Sequence, residues 1–164
     1  MLTFCTLFDS NYLDKGLALY DSMKSVMENF KLYILAMDDR CEEILNDLAL
    51  EHVIVISLNE FEDEEMLKIK AKRSRAEYCW TCTPVIIEYV LDNYSVDDCT
   101  YIDADLYFFH NPNVLYEDIR KSKCNIVITE HRFPNNCNGR KWLRKSGKYC
   151  VEFNYFDQSE NGRK

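Results

Sequence analysis

Hydrophobic and polar positions along the chain switch between two spacings. Residues 2–8 form a nearly unbroken apolar run, and the polar cluster Asp9-Ser10-Asn11 ends it. The run predicts a short buried strand, and the cluster predicts a turn or helix cap. Apolar residues then recur at helical spacing. Leu13, Leu17, Tyr20 and Met27 fall near one face, with Leu19, Met23 and Val26 beside it. A second strand is predicted over 31–37. Asp38-Asp39 then caps a helix, with Glu42 completing a capping-box-like pattern and Ile44, Leu45 and Leu48 forming its buried face. Positions 53–58 are mostly β-branched and predict a third strand. The order β-α-β-α-β is the signature of a parallel sheet with crossover helices.

Further along, the acidic run 59–65 reads as a solvated loop or helix start. The basic stretch 68–75 reads as an exposed face screened by it. A helix is predicted over 75–91, with Thr83-Pro84 either kinking it or starting a new helix. A central strand then runs into Asp103-Ala104-Asp105, and a second apolar run occupies 106–109. Asn111-Pro112-Asn113 breaks the chain and begins a short helix reaching about Lys121. A strand is predicted over 125–129. Residues 132–146, with Arg140, Lys141, Arg144 and Lys145, read as irregular. Alternation over 149–156 predicts a last strand, and 157–164 is polar.

Composition narrows the classes. A chain of 164 residues that is 47% apolar can bury one core. Only 4 glycines and 3 prolines exclude repeat and low-complexity architectures. The 20 basic residues against 28 acidic ones give a net charge of −8, which argues against a nucleic-acid partner and against simple adsorption to an anionic membrane. No apolar run reaches about 20 residues, so no transmembrane helix is expected. No signal segment follows Met1, and the expected location is cytoplasmic. The 8 dispersed cysteines read as free, mostly buried thiols. Cys79-Trp-Thr-Cys82 lacks the second pair that zinc would need, and it does not open a helix directly after a strand as redox sites do.

The chemistry concentrates at Asp103 and Asp105. Carboxylates placed between apolar runs are costly unless a cation meets them. Hard oxygen donors suit Mg²⁺ or Mn²⁺, which keep open positions for phosphates. The end of a strand is where open α/β sheets bind ligands. The competing reading is two acids in an exposed turn.

Thr6-Leu7-Phe8-Asp9-Ser10-Asn11-Tyr12 after the opening strand, together with Tyr101-Ile102-Asp103-Ala104-Asp105 after a long helix, resembles the GT-A-fold glycosyltransferases of the family-8 type. The resemblance spans roughly residues 2–156. It implies a single α/β domain with a Rossmann-like, mostly parallel sheet flanked by helices. It also implies a nucleotide-diphosphate sugar donor, UDP favoured, with Mn²⁺ or Mg²⁺, a glycan, lipid or protein acceptor, and retention of configuration. Carried over, Thr6 and Phe8 line the base pocket, Asp9 bonds base or ribose, and Tyr12 stacks on the base. Asp103 and Ala104 border the nucleotide, Asp103 and Asp105 hold the metal, and Thr83, Arg75 and Asn154 face the donor sugar.

Two departures stand out. Family members carry a basic residue on the helix before the Asp-x-Asp strand, whereas residues 81–85 here hold none, and Arg73 and Arg75 lie upstream. The family's further histidine ligand would fall beyond Lys164, so the acceptor region is expected to be missing. His52, His110 and His131 all precede that point, and His131 is the candidate to close the metal site. Two other functions compete. One is a non-catalytic nucleotide-sugar-binding remnant. The other is a phosphohydrolase of the haloacid-dehalogenase type, which places its Asp-x-Asp on the first strand and not late in the chain.

Overall fold

A computed structural model describes residues 1–163. Six strands and seven helices alternate: β1 (Leu2–Phe8), α1 (Leu13–Val26), β2 (Phe30–Ala36), α2 (Asp39–Leu48), β3 (Val53–Ile56), α3 (Leu58–Phe61), α4 (Glu64–Lys70), α5 (Arg75–Asn93), β4 (Asp98–Ile102), α6 (Asn113–Ser122), β5 (Ile126–Glu130), α7 (Cys137–Ser146) and β6 (Tyr149–Asp157). The strands form one sheet in the order β3-β2-β1-β4-β6-β5. β1 pairs in parallel with β2 and β4, and β2 pairs in parallel with β3. β6 returns antiparallel between β4 and β5. The expected single α/β domain with a mostly parallel sheet is therefore present.

The apolar run of β1 has a simple cause. The strand is central, and both of its faces are covered, so all seven residues are buried. Phe4 and Phe8 point toward α1, α2 and α6, where Leu19, Met23, Leu45 and Tyr116 complete one core. Cys5 and Leu7 point the other way, toward α3, α4 and α5, with Phe61, Met66, Ile86 and Val90. Gly16 lets α1 close on the end of β1, because a Cβ there would lie 2.4 Å from the Phe8 ring.

Several local expectations change. Asp38 does cap α2 by accepting from the Cys41 N–H, but Glu42 lies one residue too far along to complete a box. Leu48 is 45% exposed and not part of the buried face. β3 stops at Ile56 because Ser57 caps the short α3. α5 runs unbroken through Pro84 and starts with a true capping box between Ser74 and Glu77.

Positions 106–109 do not form a second strand. The Leu106 N–H turns back to the Asp103 carbonyl. Phe108 packs edge-on against Phe4 and donates its N–H to Ser22 Oγ, while Tyr107 and Phe109 stay exposed. The stretch 132–146 is irregular only over its first five residues, and Cys137–Ser146 forms α7. Asn136 caps α7 by accepting from the Gly139 N–H, and Gly147, at φ +81°, ends it.

Among the described residues no helix is long and apolar enough to cross a membrane.

Candidate nucleotide and metal site

The winding direction of the sheet reverses between β1 and β4, and the carboxyl ends at such a switch point are where open α/β sheets bind ligands. Asp9 follows β1 there, and Asp103 follows β4. Asp9 folds into an Asx turn, with Oδ1 accepting the Asn11 N–H at 2.9 Å. Its Oδ2 meets Arg75 Nη2 at 2.6 Å. The same nitrogen reaches Asp38 Oδ2 at 3.0 Å. Asp38, at the end of β2, also accepts from the Ser10 N–H and hydroxyl. Partial burial works against the charge on Asp38. The Cys41 and Ser10 donors and Arg75 outweigh it and hold the carboxyl below its usual range. α5 thus delivers Arg75 from its first turn onto two carboxylates contributed by different crossover units. Arg73 turns away and bonds Thr81 Oγ1.

Tyr12 occupies the residue before α1, 45% exposed, with the Lys15 ammonium 3.9 Å from its ring centroid. One ring face is therefore covered by a cation, and the residue still exposes 45% of its surface. The Thr6 and Phe8 side chains lie inside the core. Thr6 Oγ1 is buried without a hydrogen-bond partner among the described residues.

On the β4 side a tight turn from Asp103 to Leu106 buries Ala104 and leaves Asp105 in solvent. The Tyr101 hydroxyl donates to Asp103 Oδ1 at 3.0 Å. Thr83 of α5 reaches the same phenol and donates its own hydroxyl to the Cys79 carbonyl. Asp103 also gives its N–H to the Glu152 carbonyl on β6. Burial pushes the Asp103 carboxyl up. The Tyr101 hydrogen bond opposes that, and the Asp105 and Glu152 charges add to it. A cation would relieve these like charges, so the donor set fits a hard divalent ion, with Asp103 and Asp105 as its oxygens.

Among the described residues no three His, Cys, Asp or Glu side chains cluster closely enough to ligate a metal on their own. His131 stacks on Phe133, with ring centroids 4.7 Å apart. His52 packs on Phe30, and His110 is exposed.

Asn154 sits opposite Tyr101 in the β4–β6 register. Its Oδ1 is buried without a partner among the described residues, an acceptor facing no donor. Cys79 and Cys82 both lie on α5. Burial raises both thiols, Cys82 to about 12, which is opposite to what a redox or metal-binding cysteine needs.

Sequence reasoning gave Asp38 only a capping role and did not reach Glu152. Asp38 carried a signal, an acid ending the second strand of a β-α-β-α-β unit. Glu152 carried none, because its neighbour on β4 is set by an antiparallel return that no local pattern encodes.

No family model matches the chain. It is 30% identical over 127 residues to the Bacillus subtilis (strain 168) protein YfnF, covering 77% of this chain and 41% of that one. It is 29% identical over 153 residues to YfnD of the same organism, covering 92% and 47%. Both are uncharacterized, and the chain spans less than half their length. Solved structures share the fold. Mouse xyloside xylosyltransferase 1 superposes with a TM-score of 0.66 at 11% identity, covering 96% of this chain and 67% of that one. The mannosyltransferase PcManGT of Pyrobaculum calidifontis, solved with GDP-Man and Mn²⁺, gives 0.56 at 12% identity, covering 95% and 44%. The fold is thus the α/β arrangement of GT-A-type glycosyltransferases.

Proposed function

We propose that this chain is the donor-binding part of a metal-dependent glycosyltransferase that moves a sugar from a nucleotide diphosphate, UDP favoured, to a glycan, lipid or protein acceptor. One observation carries the reading. The Asp9–Arg75 pair follows β1 and the Asp103–Asp105 turn follows β4, neighbouring strands at the switch point of the sheet, and this supports a nucleoside at the first and a metal-bound diphosphate at the second.

In this reading Asp9 accepts from a base N–H or a ribose hydroxyl, and Tyr12 stacks on the base. Thr6 and Phe8 border the base pocket through their main chain, since their side chains are inside. Arg75 steadies Asp9 and offers its remaining N–H groups to the donor. Thr83 and the unpartnered Asn154 Oδ1 serve the sugar side. Asp103 and Asp105, with Ala104 keeping the turn tight, would hold Mn²⁺ or Mg²⁺. Bound there, the ion supplies Lewis-acid stabilisation of the departing nucleoside diphosphate. No side-chain nucleophile is assigned, in keeping with retention without a covalent intermediate. A phosphohydrolase of the haloacid-dehalogenase type is not favoured, because the Asp-x-Asp follows β4 and not β1.

A thermal-shift panel of UDP, GDP and CDP sugars, with and without Mn²⁺, tests the reading. The expected result is stabilisation by one nucleotide that requires Mn²⁺ and disappears in Asp105→Asn with the fold intact. A variant that responds like the parent would put the metal site elsewhere.

A further inference from the structure

Helix α7 stands apart from this chemistry. Residues 140–148, Arg-Lys-Trp-Leu-Arg-Lys-Ser-Gly-Lys, carry five positive charges and no acid. The whole chain carries −8, so the remainder carries −8 − 5 = −13. Arg140, Lys141, Arg144 and Lys145 recur at i, i+1, i+4 and i+5, which gathers them on one face of the helix. Together with Cys137 they line one open recess of about 380 Å³. None of the four forms an ion pair among the described residues.

Trp142 and Leu143 flank this basic face, 50% and 45% exposed, and the Lys145 ammonium lies 5.3 Å from the Trp142 ring centroid. Gly139 alone on the helix is buried. Four unpaired cations on one helix of an acidic protein form a strong local dipole, while Lys148, beyond the helix, is held by Glu130 at 2.9 Å. Cations beside a half-exposed tryptophan and leucine are the chemistry of a helix that lies in a charged lipid interface. A nucleic-acid-binding domain is basic overall, whereas this chain carries −8.

We propose that α7 is a docking face for the surface of an anionic phospholipid bilayer. The basic face meets the headgroups, and Trp142, beside Lys145, reaches the interface at the edge of that face. The acidic remainder keeps every other face away, so contact is oriented as well as attractive. α7 leads straight into β6, whose Glu152 carbonyl holds the Asp103 N–H. The last turn of α7 therefore lies toward the end of the sheet at which β4 finishes. The expectation from net charge alone was the reverse, since a sum over the chain hides a segregated patch.

The test is vesicle partitioning read by Trp142 fluorescence in a Trp80→Phe background, which leaves one tryptophan. A three-to-one mixture of phosphatidylcholine and phosphatidylglycerol should shift the emission to the blue at low salt. Pure phosphatidylcholine should not, and high salt should reverse the shift. Lys141→Glu with Lys145→Glu should weaken partitioning by about 30-fold or more, from roughly one kcal/mol per cation near an anionic surface. Its melting temperature should match the parent. Trp142→Ala, followed by sedimentation with vesicles, should weaken binding while keeping the salt dependence.

Equal binding to pure phosphatidylcholine, no binding at low salt, or an unchanged double variant would each overturn the proposal. So would protection by free inorganic phosphate without vesicle binding, or self-association through α7 in sedimentation velocity. Vesicle binding needs neither nucleotide nor metal, so it fails separately from the glycosyl-transfer reading.

Discussion

Tyr101→Phe removes one oxygen and probes the proposed site without touching a ligand. The ring is 3% exposed and stays in the core, so packing is preserved. The lost contact is the phenol donating to Asp103 Oδ1 at 3.0 Å. Two effects oppose each other. The phenol occupies an acceptor position that a metal would otherwise use. It also fixes the carboxylate rotamer and favours its ionised form. A carboxylate offers about four lone-pair positions on two oxygens, and the phenol uses one, so competition is the smaller effect. Loss of orientation should win, because partners that position metal ligands are typically worth about 10–100-fold in affinity.

The fold should lose less than about 1.5 kcal/mol, the upper value for an ordinary hydrogen bond, since Asp103 can turn toward water. Calorimetry of Mn²⁺ into protein holding UDP should show the 10–100-fold loss. The loss should widen as pH falls toward about 5, because without the phenol nothing counters the burial and like charges that already raise Asp103. Affinity that is unchanged, or improved, would mean that Asp103 does not bind the metal or that the phenol competes with it.

Two other substitutions separate binding from folding. Tyr12→Ala should weaken nucleotide binding by about 1–3 kcal/mol, the worth of base stacking, and titration with UDP measures it. An unchanged affinity with a lower melting temperature would mark Tyr12 as a packing residue only. Asp103→Asn should raise the melting temperature of the metal-free protein near neutral pH. A carboxyl raised by folding costs stability that grows from about pH 4, its unfolded value, through its folded value, and stays constant above, so the gain should vanish in acid. A variant less stable than the parent at neutral pH would contradict this.

The parallel half of the sheet was legible because its physics is local. β1 and β2 are covered on both faces and read as apolar runs, and each crossover helix carries its own stripe. The candidate site was legible where it sits on strand ends, since placing Asp9, Asp103 and Asp105 together needs only the knowledge that β1 and β4 are neighbours. Other parts were not. α7 buries only Gly139, so no apolar stripe announced it, and its start depends on one cap at Asn136. The run 106–109 was legible only as apolar, and its fate turned on the Asp103–Leu106 turn and on Ser22 of a distant helix accepting the Phe108 N–H. Arg75 was expected to face the donor sugar, but its pairing with Asp9 and Asp38 was not legible. The axial position of a 19-residue helix over β1 decides its reach, and that position is set by packing of Tyr78, Cys82 and Ile86.

The carboxyl ends of β1, β2 and β4 and the start of β6 bring Asp9, Asp38, Asp103, Asp105 and Glu152 to one end of the sheet. Arg75 is the cation paired with them among the described residues, and it is shared between Asp9 and Asp38. A diphosphate alone would meet the uncompensated charges of Asp103 and Asp105. A divalent ion alone would find two carboxylates where about six oxygens are preferred. Each species supplies what the other lacks: the ion offsets the repulsion, and the phosphates fill the coordination sphere. Metal and nucleotide should therefore raise each other's affinity by the same factor, since linkage is reciprocal. Calorimetry of Mn²⁺ with and without UDP, and of UDP with and without Mn²⁺, should close that cycle, with a factor of about 5–150 typical of such coupling. Tight Mn²⁺ binding without nucleotide would mean that a further ligand, with His131 the first to substitute, already completes the site.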